Sequence, residues 1–418
     1  MTLTTSSFSS VEKWMLQKIN RSIGQAPIRL VLGRDEGTAD SSVPPVATVV
    51  ISNRKALAKL VLNPEVGFGD CYADGTVKVE GDLISLLESA LRSMQNVEAG
   101  GFYSKLFSRW LDRIQANTLR GSARNISHHY DLSADFYKLW LDSRLVYTCA
   151  YFPSPSATLD EAQLAKMDYV CRKIRLQPED KVVDAGCGWG ALALHMAKHY
   201  GASVKAFNIS KEQVLFARER AKEEGLSHQV EFIEDDYRNI SGQFDAFVSV
   251  GMLEHVGAEH YEDLGRVIHR TIGGSGRGLL HFIGRNQARP FSPWIRKRIF
   301  PGAYVPALGE ALDFLGHWNF SVLDVENLRN HYARTLEDWL ARFEKSADQV
   351  SQKFGPEFVR AWRLYLAGSM AAFRVGTLQL FQVVFAGPRN QRIPWSRAHL
   401  YEQHPAATKE SRWMHAMS

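Results

Sequence analysis

Cysteine is scarce in this chain, with four residues in 418 (Cys71, Cys149, Cys171 and Cys187) and no C-x-x-C pair among them. That scatter excludes a disulfide framework and a zinc knuckle, and it fits a reducing compartment. No grouping of His, Cys, Asp and Glu has metal-ligand spacing, so no metal is expected. Long apolar runs are also missing. No stretch approaches the roughly 18 consecutive apolar residues of a membrane span. The first residues lack the basic start and apolar core of a signal peptide, and the expected location is cytoplasmic. Net charge is only +5, with a pI near 8.9. Such a balance is compatible with an anionic partner and demands none.

What is present centres on Val182-Val-Asp-Ala-Gly-Cys-Gly-Trp-Gly190, a β-branched run entering a glycine turn that opens into a helical pattern. Strand, glycine turn and helix build a nucleotide site, because the backbone can approach a ligand closely and the helix N-terminus offers unpaired N–H groups. The spacing is G-x-G-x-G, where a dinucleotide turn reads G-x-G-x-x-G.

Length points to two domains. Residues 1–115 read as a small α+β unit: strands at 27–32 and 46–51, a helix at 54–62, a hairpin of 68–72 and 76–80 around Ala73-Asp74-Gly75, and a helix at 83–94. In residues 116–390, strands at 181–185, 203–208, 230–234, 244–250 and 278–283 alternate with helices at 191–200, 211–224 and 260–272. This rhythm predicts a doubly wound, Rossmann-like α/β sheet, completed by strands at 321–325 and 379–385. Residues 391–418 read as a polar tail with a frayed end.

In such a sheet the ligand lies over the carboxyl ends of the strands. Converging there are Gly186 and Gly188, Asn208 at the end of the second strand, Asp235-Asp236-Tyr237 at the third, and Gly251–His255 at the fourth. Ser210 and Gln213 form a capping box on the second helix. An NAD site places an acid where Asn208 stands; an acid pair beside Tyr237 suits an adenine amine and favours S-adenosylmethionine. Glu254-His255 reads equally as a helix cap. His281, inside Leu279-Leu-His-Phe-Ile283, needs a partner if buried, and a lone histidine there is more often satisfied than catalytic.

Two basic segments remain. Lys105, Arg109, Arg113, Arg120 and Arg124 line one face of 103–124. Segment 285–309 interleaves five cations with Phe291, Trp294, Ile299, Phe300 and Tyr304 and holds no acid. Mixed aliphatic and aromatic groups beside cations favour an anionic lipid surface over nucleic acid.

The ordered set Val183-Asp-Ala-Gly-Cys-Gly-Trp-Gly190, Asn208-Ile-Ser-Lys-Glu-Gln213, Ser249-Val-Gly-Met-Leu-Glu-His-Val-Gly257, Leu280-His-Phe-Ile-Gly284 and Ile299-Phe-Pro-Gly302 resembles the cyclopropane fatty acid synthase family. So do His129-Tyr-Asp-Leu132, Tyr147-Thr-Cys-Ala-Tyr-Phe152 and His331-Tyr-Ala-Arg-Thr-Leu336. The resemblance covers about residues 120–390 closely. It implies a class I methyltransferase domain and methyl transfer from S-adenosylmethionine to a cis double bond of a phospholipid acyl chain, followed by proton loss and ring closure. It also implies a bound bicarbonate as base, held by Cys149, Glu254, His281, the Ile283 backbone and Tyr332, and cofactor contacts from Tyr147, Gly186, Asn208, Gln213 and Tyr237. Aromatic faces near Tyr147–Phe152 and Phe314 would suit the cationic intermediate. The sequence departs from the family at Asn208, often Thr, and at Ser369, often Cys, so a nucleophile at 369 is not supported. Relatives that methylate without closing the ring share the base site. A lipid-surface binding protein on a degenerate methyltransferase fold is the competing reading. The expected partner is an unsaturated phospholipid at the inner membrane face, with no nucleic acid and a possible homodimer.

Overall fold

Val, Ile and Leu alternate with other residues in two short segments near the start of the chain. Both are strands in the computed structural model, which describes residues 9–33, 44–96, 132–289 and 291–401. β1 (Ile28–Leu32) and β2 (Ala47–Ile51) run parallel, and β3 (Val77–Gly81) pairs with β2 antiparallel. Their buried residues pack with Leu16 and Ile19 of α1 (Ser10–Ser22) and Leu57 and Leu60 of α2 (Arg54–Leu62) into one core. The hairpin expected at 68–80 is instead a helix, α3 (Pro64–Asp74), running into β3. Pro64 takes the first helical turn, where its missing N–H costs nothing, and the Asn63 side chain caps it. Gly75, at φ 82°, ends the helix in the left-handed conformation. The Ala-Asp-Gly signal was a helix stop, not a hairpin turn. After α4 (Leu83–Asn96) comes the basic segment 103–124, which lies outside the described residues.

The second sheet has seven strands in the order β6-β5-β4-β7-β8-β10-β9. β4 (Lys181–Ala185), β5 (Ser203–Asn208), β6 (Val230–Glu234), β7 (Ala246–Val250) and β8 (Arg277–Gly284) are parallel. β10 (Gln379–Ala386) runs antiparallel between β8 and β9 (Ser321–Asn327). Successive residues of β4 point to opposite faces. Val182 enters a core with α6 (Leu159–Lys173), α7 (Ala191–Tyr200) and α8 (Lys211–Glu223), reached after the short α5 (Ala134–Lys138). Val183 enters another, with α10 (Tyr261–Ile272), which follows α9 (Leu253–Val256). The chain moves outward from β4 to β6 and returns to β7, so the switch point lies between β4 and β7.

A third, aromatic core sits beside the sheet. α13 (Arg329–Lys345), α14 (Ala347–Phe354) and α15 (Pro356–Val375) gather around the fully buried Tyr137, Trp140 and Trp339. These helices and α11 (Pro293–Arg298) also hold the first unit, because α15 packs on α3 and α4, and α11 packs on α3. A Cβ at Gly69 would fall 2.3 Å from the Trp294 ring, so glycine permits that contact. Arg298 adds a two-pronged ion pair to Asp70, at 2.9 and 2.8 Å.

This packing corrects the reading of 285–309 as a lipid-facing stretch. Trp294, Ile299, Ala303 and Val305 are buried, and the segment joins the two sheets' units from inside. Phe314, on α12 (Leu308–His317), lies in the core with Val183 and Phe282, whereas Tyr147 belongs to the aromatic one; it offers no face to chemistry near Tyr147. No helix among the described residues is long and apolar enough to cross a membrane.

Candidate active site

A cleft opens where the switch point places it, with an empty volume of about 1120 Å³ counted to its mouth. Gly186, Cys187, Gly188 and Trp189 form one wall, Asn208 and Gln213 a second, Asp235, Asp236 and Tyr237 a third, and Gly251, Met252 and His255 a fourth. The glycines of the turn do different work. Nothing lies within 4 Å of a Cβ built on Gly188 (φ +54°), which therefore faces open cleft, whereas at Gly190 (φ +86°) it would strike Phe232 and Ala217 at 2.7 and 2.8 Å. The first is free for a ligand; the second seats α7 on the sheet.

Polar side chains around the cleft hold one another in place. Asn208 donates to the Gly188 carbonyl (3.2 Å) and to Gln213 Oε1 (2.7 Å). Asp235 accepts from the Asp236 N–H and the Asn239 amide, both at 2.7 Å. Asp236 binds Arg238 with both oxygens, at 2.8 and 3.0 Å. Tyr237 is buried with its hydroxyl unpartnered. Ser210 stands apart from the other expected cofactor residues. Its hydroxyl caps α8 through the Gln213 N–H, and it is not among the residues lining the cleft.

Segment 145–148 forms the inner rim of the cleft. Tyr147 lines it with its ring among Tyr137, Trp140 and Trp339 and its hydroxyl 2.8 Å from that of Tyr365. Below lie two polar groups that sequence reasoning missed. Lys166 is buried and donates to Thr148 Oγ1 (3.0 Å); burial pushes its ammonium down to about 8. Asp184 is buried with one carboxylate oxygen unpartnered, and burial pushes it up to about 7, with the Lys166 charge opposing. Their spacing in sequence gave no sign of the pair, because an α6 lysine meets a β4 acid only after the helix packs.

The remaining predicted residues fall into two groups that meet at Ile283. Glu254, on α9, accepts a short hydrogen bond from the Ile283 N–H, and its second oxygen is buried without a partner. Burial raises its carboxyl from an ordinary 4.5 to about 7. His281 is two residues earlier on the same strand face as Ile283. Burial holds its ring neutral, well below the usual range. Gln382, its cross-strand neighbour on β10, lies 3.0 Å from Nδ1. With the Gln382 amide donating, the proton sits on Nε2, which is buried without a partner. Cys149 and Tyr332 share the aromatic core that Ile283 packs against. Cys149 points its thiol at the Ala150 carbonyl (3.1 Å), and burial raises it far above reactive range. Tyr332 packs its ring on Phe373, centroids 4.6 Å apart.

α13 secures this arrangement. The Thr335 hydroxyl accepts from the Ala150 N–H (3.0 Å), and His331 Nδ1 accepts from the Phe152 N–H (3.0 Å) with its ring stacked on Tyr151. One helix therefore supplies Tyr332 and also fixes the irregular segment that carries Tyr147 and Cys149.

Residues 117–383 match the family model described as mycolic acid cyclopropane synthetase. The chain belongs to this family. It is 38% identical over 342 residues to the cyclopropane-fatty-acyl-phospholipid synthase of Escherichia coli K12, covering 81% of this chain and 88% of that one. It is 34% identical over 389 residues to a probable fatty acid methyltransferase of Pseudomonas putida, covering 90% and 96%. A solved structure of the mycolic acid cyclopropane synthase CmaA1 complexed with SAH and CTAB superposes with a TM-score of 0.60 at 30% identity, covering 63% of this chain and 97% of that chain. As a cyclopropane synthetase family member the chain is an S-adenosylmethionine-dependent methyltransferase with the class I fold, of the cyclopropane or related fatty acid type.

The family resemblance implies a bicarbonate, and the residues present fit one in part. Glu254 Oε2 and His281 Nε2 are buried polar atoms awaiting a partner. One can donate when protonated and the other donates as the neutral ring, as an oxyanion requires. The Ile283 N–H, however, is committed to Glu254, so it orients the carboxyl rather than the ion.

Proposed function

We propose that this methyltransferase acts on a cis double bond of an unsaturated phospholipid acyl chain and closes a cyclopropane ring. A carbon–carbon bond forms between one alkene carbon and the sulfonium methyl as the methyl–sulfur bond breaks, and S-adenosylhomocysteine leaves. The neighbouring carbon carries the positive charge until the new methyl loses a proton and its electron pair closes the ring. Bicarbonate, when bound, supplies the base for that proton.

The observation that carries this reading is that Glu254, which accepts from the Ile283 N–H, and His281, two residues before Ile283, each keep a buried polar atom without a partner, while Ile283 packs against the aromatic core that holds Cys149 and Tyr332. An alkene is a poor nucleophile, so its approach to the methyl must be positioned in a dry site. Tyr147, which lines the cleft with Tyr137, Trp140 and Trp339 packed behind its ring, offers an aromatic group for a cation. In this reading Tyr147, Gly186, Gly188, Asn208, Gln213, Asp235, Asp236 and Tyr237 bind the cofactor, and Cys149, Glu254, His281, Ile283 and Tyr332 frame the base. Residues 1–115 form the lipid-associated unit, 116–390 the methyltransferase and 391–418 the tail. The protein works at the inner membrane face without spanning it.

A second reading is methylation without ring closure; the chain is also similar to a probable fatty acid methyltransferase of Pseudomonas putida, a name that specifies no ring. Incubation with methyl-labelled S-adenosylmethionine and unsaturated phospholipid, then mass spectrometry of the released fatty acids, separates the two. A cyclopropane supports the first reading, a methylene or methyl branch the second, and an unlabelled lipid pool refutes both.

A further inference from the structure

Because segment 285–309 turns its apolar groups inward, a lipid-facing surface has to lie elsewhere. We propose that the outward face of α1 and α2 is a docking surface for an anionic phospholipid bilayer; this rests on the acyl-chain reading above.

α1 buries Glu12, Leu16 and Ile19. At 3.6 residues per turn, Trp14 and Arg21 fall at the pole opposite that stripe, with Val11 and Lys18 beside them. Trp14 is 55% and Val11 59% exposed. α2 repeats the arrangement. It buries Ala56, Leu57, Leu60 and Val61, while Leu62, 84% exposed, shares the outer pole with Lys55. The Lys18 ammonium stands 5.4 Å from the Trp14 ring centroid, so the face pairs an aromatic body with a cation as headgroup-level side chains do. The α1 and α2 N-termini are tied together by the Arg54–Glu12 ion pair at 2.7 Å.

Charge selects the partner. Arg54 is neutralised by Glu12 and Lys59 by Asp74. Among the described residues no carboxylate pairs with Lys13, Lys18, Arg21 or Lys55. A second copy meeting this face about a two-fold axis would set those cations against themselves, which disfavours a dimer here. Scattered apolar tips among unneutralised cations suit a fluid anionic surface, which needs no complementary shape. The first unit's attachment to the methyltransferase runs through α3 and α4, leaving this face unused by it.

The test floats the full-length protein with vesicles of phosphatidylglycerol and phosphatidylethanolamine. Variants are Trp14→Ser with Leu62→Ser, and Lys18→Glu with Arg21→Glu; Lys205→Glu with Lys222→Glu, on the other unit, is the control. Each α1–α2 pair should weaken partitioning by about tenfold or more, and the control should not. S-adenosylmethionine affinity, measured calorimetrically, should be unchanged in all, showing intact folding. Unaltered flotation of both α1–α2 variants overturns the proposal, and so does loss of a dimer in ultracentrifugation without loss of flotation. Methylation of unsaturated phospholipid in detergent micelles is scored separately: no label there refutes the acyl-chain reading, whereas label with no vesicle binding refutes only the docking face.

Discussion

Replacing Glu254 by Gln isolates the buried carboxyl with little change of shape. The Ile283 N–H can still donate to the remaining carbonyl oxygen, so the local hydrogen bond survives. What disappears is the titration. In the native chain the Glu254 carboxyl is raised from 4.5 to about 7. At about 1.36 kcal/mol per unit, that amounts to roughly 3 kcal/mol. Folding favours the protonated acid, so this group's contribution is full below about pH 4.5 and is lost as pH rises through about 7. The Gln variant has no such slope. Asp184, also raised to about 7, titrates in both proteins and cancels in their difference. Thermal unfolding of both across this window should therefore show the variant drawing ahead as pH rises, by roughly 3 kcal/mol at the alkaline end. Turnover should fall by about 10²–10³, the effect of removing one group that orients charge in a dry site. Cofactor affinity should hold. A stability difference that stays flat with pH refutes the buried-acid argument, and retained turnover removes Glu254 from the chemistry.

Gln382→Leu leaves His281 Nδ1 buried without its partner, which should cost about 1–3 kcal/mol in denaturant unfolding. It should also shift the ring tautomer seen by nitrogen NMR and lower turnover more than cofactor affinity; an unchanged tautomer would deny Gln382 its positioning role. The two glycines should separate. Gly190→Ala meets Phe232 and Ala217 under 3 Å and should destabilise the fold by about 2–4 kcal/mol. Gly188→Ala carries only the left-handed backbone cost of about 1–2 kcal/mol but should weaken cofactor binding measurably, because its Cβ enters the cleft. Equal stability losses at the two positions would contradict that division.

The doubly wound sheet was legible because its signals are local: alternation within a strand, a glycine turn, a capping box. Strand ends follow from that order, so Asn208, Asp235, Asp236, Tyr237 and the Gly251–His255 turn could be set around one cleft before any coordinates. The first unit shows the limit. Phe68–Tyr72 and Ala73-Asp74-Gly75 satisfy a hairpin pattern as readily as a helix end, and Trp294, more than two hundred residues later, covers Gly69 and helps settle the matter.

Side-chain partnerships were legible only through family resemblance or not at all. Gln382 reaches His281 across 101 residues, and Thr335 reaches the Ala150 N–H across 185. Lys166 and Asp184 become a pair only when α6 lies against the sheet. Segment 285–309 reads in sequence as a free basic-aromatic surface, yet docking of the first unit turns its tryptophan into core. Composition and periodicity, acting over a turn or a strand, determined the strands, the glycine turn and the class of cofactor. Which buried polar atoms found partners, and which did not, depended on burial and long-range contact, and only the tertiary structure could decide it.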